Sequence, residues 1–207
     1  MADTTYAAGT QSAGRPASKI RILAECAVMV ALSTVLSFIK IYRLPWGGSI
    51  TLLSMLPVIM FSIRWGLKWG LNCSGLNAIV QLGQGIIGGL FGWGLTPAML
   101  LGCIFLDYLL PYFAIGFSGM FRKMGQYGWI AGMLIAMMSR FLMHIISGIV
   151  IWQSAGELWN GFSTDNAVVY SLLYNGAYML PEMILTFIAA TVMFNLPQTA
   201  KFFENKQ

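Results

Sequence analysis

From about Ile20 onward, apolar residues come in long runs broken by short polar or glycine-rich stretches. A helix that crosses the hydrocarbon of a bilayer takes about 20 predominantly apolar residues at roughly 1.5 Å rise each. That measure predicts six helices, over about Ile20–Ile39, Ile50–Ile63, Gly66–Leu90, Pro97–Met120, Gly128–Trp152 and Ala167–Leu196. The second is short. Between the first two lies Tyr42-Arg43-Leu44-Pro45-Trp46-Gly47-Gly48-Ser49, where a proline and two glycines mark a break. Pro97 suits a first helical turn, and Pro181 predicts a kink in the last helix. Residues 1–18 are polar and small and are expected to form a disordered tail. Residues 19–197 then form a single membrane domain, and 198–207 a closing tail. The apolar run near Ile20 is too long for a signal peptide, and no small-residue cleavage site follows it.

Composition sharpens this into an all-α membrane protein. The chain is 57% hydrophobic and 9% charged, against about 45–50% and 25% in a soluble domain. No soluble core could bury that excess. Nine basic residues fall on one side of the predicted helices: Arg15, Lys19, Arg21, Arg64, Lys68, Arg122, Lys123, Lys201 and Lys206. Lys40 and Arg43 fall on the other, with Glu157 and Asp165. The positive-inside rule then makes both termini cytoplasmic and turns the Tyr42–Ser49 and Glu157–Asp165 loops outward. Cys26, Cys73 and Cys103 lie in apolar segments without metal-ligand spacing, so buried thiols are expected, with no metal and no cofactor. No phosphate-cradling glycine loop is present, which excludes ATP hydrolysis by this motif, and no clear inverted repeat is visible.

Ionisable groups at membrane depth are costly and usually face a cavity or a partner. Five are expected there: Glu25, Asp107, Arg140, His144 and Glu182. Asp107 lies about ten residues, or 15 Å, from the outer end of its helix, and His144 about 12 Å from the outer end of the next. Trp152 lies on the His144 face, two turns further out. Tyr170, Tyr174 and Tyr178 form an i, i+4 stripe on the last helix, with Asn175 beside it. A carboxylate, an imidazole, an amide, phenols and an indole thus share a depth on three helices. A carboxylate between aromatic walls suits an organic cation. Plainer readings stand beside it. Asp107 pairs with Arg140, His144 bonds between helices, Trp152 belongs to the interfacial belt, and the tyrosines pack. Glu25 is expected to snorkel to the nearby helix end, and Glu182 to satisfy backbone groups freed at Pro181.

Two short motifs need weighing. Gly116-Phe117-Ser118-Gly119 has the form used by intramembrane serine proteases, with His144 on the next helix. Ser118 and His144 are expected roughly 15–20 Å apart along the membrane normal, too far for a dyad. The pattern reads better as small-residue packing, and no enzyme is expected. Ala27 and Ala31 form a small-xxx-small pair that lets another helix approach closely.

Taken together, several stretches resemble the thiamine-specific substrate-binding (S) components of energy-coupling factor (ECF) transporters. They are Glu25-Cys26-Ala27 through Ala31; Leu44 to Ser49 and on to Ser54-Met55-Leu56-Pro57; Arg64-Trp65-Gly66-Leu67-Lys68; Leu106-Asp107-Tyr108; Arg140-Phe141-Leu142-Met143-His144 with Gly148 and Trp152; and Tyr170 to Gly176. The resemblance covers about Ile20 to Leu196. It implies a multi-pass protein of the bacterial plasma membrane that captures thiamine from outside. It also implies a coupling membrane subunit, met through Ala27 and Ala31, and two ATPases. The ligand would be held by residues matching Asp107, Tyr108, His144, Trp152, Tyr170 and Asn175, with Trp46 the local candidate for a stacking residue of the first outer loop. The loop around Gly47 and Gly48 would act as a lid. Asp107 stands where the family usually carries glutamate, and Asn77 where it sometimes carries tryptophan. A thiamine precursor or another vitamin remains open as ligand, as does an ion-driven secondary transporter.

Overall fold

The computed structural model describes residues 18–44, 47–153, 156–159, 161–197, 199 and 203. Helix α1 (Lys19–Phe38) opens on Ser18, whose hydroxyl accepts from the Arg21 N–H at 3.3 Å. Such a cap satisfies one of the amides that a first turn leaves free. The helix buries Ile22, Cys26, Val30, Ser33 and Ser37 along one stripe, and Ala27 and Ala31 are exposed.

The expected helix from Ile50 does not begin there. Lys40–Arg43 (β1) and Ser49–Thr51 (β2) pair antiparallel, with Lys40 opposite Thr51 and Arg43 opposite Ser49. β-Branched Ile41, Ile50 and Thr51 suit strands, and Gly47 turns the chain at φ +97°, a conformation that glycine adopts without the cost of a Cβ. Leu53, at φ +57°, separates strand from helix, and α2 (Leu56–Trp65) starts with Pro57 in its first turn. All ten of its residues are buried.

Successive helices run antiparallel and meet at small residues. A Cβ on Gly70 of α3 (Leu67–Ile87) would lie 2.8 Å from the Ser62 hydroxyl oxygen of α2. The next crossing is α-helical over Pro97–Cys103 (α4), π-helical over Ile104–Leu109, α-helical over Leu110–Ala114 (α5) and 3-10 over Ile115–Gly119. It returns along α3, with Gly116 against the Leu71 backbone and Gly119 against the Ser62 carbonyl. Side chains this small allow backbones to approach and gain packing energy where lipid supplies no hydrophobic drive.

Helix α6 (Gly125–Ser147) continues as a π-helical stretch, Gly148–Trp152. Gly132 meets the Ser118 carbonyl, and Gly102 faces Ile151. A second hairpin, β3 (Gly156–Trp159) with β4 (Phe162–Thr164), leads to α7 (Ala167–Asn195). Asn166 caps α7 by accepting from the Val168 and Val169 amides at 2.9 and 3.2 Å. Among the described residues, three stretches are long and apolar enough to cross a membrane: Lys19–Phe38, the folded-back Pro97–Trp152, and Ala167–Asn195. The exposed faces of these helices are apolar, with Val28, Val35, Leu142, Ile184 and Ile188 all outward, as lipid contact requires.

At the end of the molecule opposite the hairpins, Glu25 accepts from the Trp65 indole N–H and pairs with Arg64 at 3.3 Å. It is tied to α2 and does not snorkel free.

Candidate functional site

Asp107 sits in the π-helical turn between α4 and α5. Its carboxylate is held from α6 and its extension. His144 Nδ1 lies 3.3 Å from Oδ1, and the Trp152 indole N–H donates to Oδ2 at 3.0 Å. With Nδ1–H donating to the carboxylate, His144 Nε2 is left as an acceptor, buried and without a hydrogen-bond partner among the described residues. The Asp107 and His144 side chains are 17% and 12% exposed, so the cluster is sheltered yet not sealed. Trp93, in the loop before α4, packs on Trp152 with ring centroids 5.6 Å apart and planes tilted by 59°.

The expected alternative pairing of Asp107 with Arg140 does not form. Arg140 lies one turn from His144 along α6, toward the core, and its guanidinium pairs with Glu182 at 3.1 Å and rests over the Tyr112 ring at 4.9 Å. Glu182 therefore does not serve the backbone freed at Pro181. It carries Arg140 on one oxygen and Thr51 of β2 on the other. Among the described residues Asp107 has no guanidinium or ammonium partner, so its charge is unspent on any fixed cation.

Helix α7 supplies the aromatic wall. Tyr170 stacks on Tyr174, centroids 6.1 Å apart and planes 19° apart, and Tyr174 meets Tyr178 edge-on at 5.9 Å. Asn175 serves as a tie between helices. Its amide N–H groups donate to the carbonyls of His144 (3.3 Å) and Ser171 (2.9 Å), and its oxygen accepts from the Tyr178 hydroxyl at 2.9 Å. It fixes the α6 backbone at His144 against α7. Gly148 lets the helices meet here, since a Cβ would collide with the Ser171 hydroxyl.

The first hairpin lies on this wall. The Gly48 N–H donates to the Tyr174 hydroxyl at 3.0 Å, and Leu44 and Ile50 pack with Phe141, Tyr178 and Met179. A Cβ on Gly48 would stand 2.9 Å from both Tyr174 Oη and Tyr178 Cδ1.

Of the residues singled out by sequence, Asp107, His144 and Trp152 meet directly, and Asn175 and Tyr170 join through α7. Tyr108 is not one of the groups that hydrogen-bond Asp107. Its ring lies over Gly85 of α3 and packs with Leu90, Cys103 and Ile151. Trp46 lies outside the described residues. Ser118 is far from His144 in the bundle. It donates to the Ile115 carbonyl at 2.8 Å at the opposite end of α5 from Asp107, so Ser118 forms no dyad with His144. Sequence reasoning missed Trp93, whose only signal is its place between two glycines, and Gly85, which seats Tyr108.

Comparison with known proteins bears on this site. The chain matches the family described as thiamine transporter protein (Thia_YuaJ) over residues 23–202. It is 31% identical to the thiamine transporter ThiT of Bacillus subtilis (strain 168), over 83% of this chain and 89% of that protein. Its fold is similar to a solved structure of ThiT from Listeria monocytogenes, with TM-score 0.68, 24% identity, and 89% of this chain and 97% of that one covered.

Proposed function

We infer that this chain, which belongs to the thiamine transporter family, is the membrane component that captures thiamine and hands it inward to a coupling subunit driven by two ATPases. The observation that carries the ligand assignment is the Asp107 carboxylate, which His144 and Trp152 orient and which no fixed cation among the described residues neutralises. Thiamine joins a permanently cationic thiazolium ring to a neutral aminopyrimidine. Asp107 would balance the thiazolium, and Trp152 and the Tyr170–Tyr174 pair would stack on the rings, each contact contributing about 0.5–2 kcal/mol. His144 Nε2 would accept from the exocyclic amine of the pyrimidine. Asn175 would hold His144 in place and offer the second lone pair of its amide oxygen. Tyr108 would shape the wall from behind, and Trp46 would close it from the first hairpin.

The topology we propose has six membrane crossings within residues 19–197, with α2 completing its crossing through the extended residues before it. The hairpin end faces outward. The far end carries Lys19, Arg21, Arg64, Lys68, Arg122 and Lys123, which supports a cytoplasmic placement of both termini in a bacterial plasma membrane. The exposed Ala27 and Ala31 face of α1 is where the coupling subunit would dock.

Uptake into proteoliposomes tests this reading. Thiamine entry that needs the coupling subunit, the ATPases and ATP supports it. Entry by this chain alone on an ion gradient replaces it with a secondary transporter. Absence of saturable thiamine binding by the folded protein removes thiamine as the ligand.

A further inference from the structure

Glu182 is 1% exposed and sits in the middle of α7, inward of the tyrosine stripe. A carboxylate so deep is costly unless every oxygen is engaged. One oxygen takes the Arg140 guanidinium at 3.1 Å. The other takes both the backbone N–H (3.3 Å) and the hydroxyl of Thr51. Thr51 is the last residue of β2, the root of the first hairpin. Its hydroxyl also meets the Ser54 hydroxyl at 2.7 Å, and the Ser54 carbonyl accepts from Ser33 of α1 at 2.7 Å. A buried polar chain thus runs from α1 through the hairpin root to α7 and α6. Eight residues toward the start of α7 from Glu182, Tyr174 takes the hairpin's tip through the Gly48 N–H. The hairpin is moored at two points about 12 Å apart along α7, and only the inner one is charged.

We propose that Glu182 is a positioning residue for ligand retention: held by Arg140, it moors the hairpin root through Thr51 and so sets how slowly ligand leaves. This rests on the reading of the hairpin end as the entrance to a thiamine site. Buried against Arg140 and Thr51, Glu182 would act without touching the ligand. It acts by lowering the population of states in which the hairpin has lifted, so it changes escape more than capture.

Thr51→Val removes the hydroxyl donor, keeps the side-chain shape and leaves the Arg140–Glu182 pair intact. Glu182→Gln removes the charge and strands Arg140, so Thr51→Val is the variant expected to stay folded. Two measurements on detergent-purified full-length protein decide the matter. In ligand-free protein, hydrogen exchange at the hairpin amides of Leu44 and Leu52 should quicken about tenfold in Thr51→Val, the loss expected for a hydrogen bond to a charged acceptor. In stopped-flow tryptophan fluorescence, thiamine dissociation should quicken about tenfold while association stays within twofold. Thr51→Val keeps the Thr51 backbone N–H on Glu182, so these changes report the hydroxyl bond alone. Unchanged exchange at the hairpin overturns the mooring. Faster exchange with unchanged dissociation overturns its role in retention. Failure of the wild-type protein to bind thiamine would remove the ligand assignment alone, and the exchange measurement would still decide the mooring.

Discussion

Replacing Asp107 by asparagine is the sharpest perturbation of the site, because it deletes one charge and almost no volume. Two unit charges about 4 Å apart attract by about 4 kcal/mol at an effective dielectric near 20. Asp107 is largely sheltered, with 17% of its side chain exposed, so little of this is screened by water. Desolvation of both ions offsets part of the attraction, leaving about 2 kcal/mol, or about 30-fold in Kd. A second loss adds to it. The carboxylate accepts from His144 and Trp152 on separate oxygens, whereas an amide can accept on only one side, so one donor is left facing an N–H. The assay is quenching of intrinsic tryptophan fluorescence, since Trp93 and Trp152 lie at the site. Thiamine affinity should fall at least 30-fold, while the neutral aminopyrimidine half alone loses much less. A folded Asp107→Asn protein whose thiamine Kd stays within threefold of wild type would refute the cation-binding role.

Three further outcomes follow from distances. Gly48→Ala puts a methyl 2.9 Å from Tyr174 and Tyr178 and should lift the hairpin, weakening thiamine binding about tenfold in fluorescence titration with little change in melting temperature. Gly148→Ala forces α6 from α7 at Ser171; overpacking of about 1–3 kcal/mol should lower the melting temperature by roughly 3–10 °C, read by thermal-shift unfolding in detergent. Trp152→Phe keeps a ring beside Trp93 but removes the donor to Asp107, and isothermal titration should find thiamine about tenfold weaker; unchanged affinity would mean that stacking alone accounts for the residue.

The apolar runs made the long helices legible, because at membrane depth length and hydropathy suffice. Depth along those helices also brought Asp107, His144 and Trp152 together before any contact was known. The second helix was misread at its start. Ile50 and Leu52–Leu53 are as apolar as helix residues, and only the turn at Leu53 and the pairing of Thr51 with Lys40 reveal a strand. The partner of Arg140 was illegible for a different reason. Arg140 and His144 share one face of α6, and whether the arginine meets Asp107 or Glu182 depends on how α6 seats between two neighbours. No spacing within one helix encodes that. Tyr108 likewise follows Asp107 directly in sequence, yet its ring lies over Gly85; neighbours on a helix point about 100° apart, and the stretch that carries both is π-helical, wound more loosely than an α-helix.

That unwinding recurs. Ile104–Leu109 and Gly148–Trp152 are both π-helical, and they carry Asp107 and Trp152, which bond to each other. A π-helical turn holds a surplus residue relative to the α-helix, and such bulges gather at functional sites. The surplus residue is taken up within the bulge, so the helix on either side keeps nearly the phase of a continuous α-helix. Loss of one residue there would let the α-helix close up with little rotation of what lies beyond, withdrawing Asp107 or Trp152 from the pocket while the tightly packed glycine crossings at the other end stay in register. Small insertions and deletions at these two stretches give the fold a way to re-aim its recognition surface without rebuilding the half that would answer to its partners.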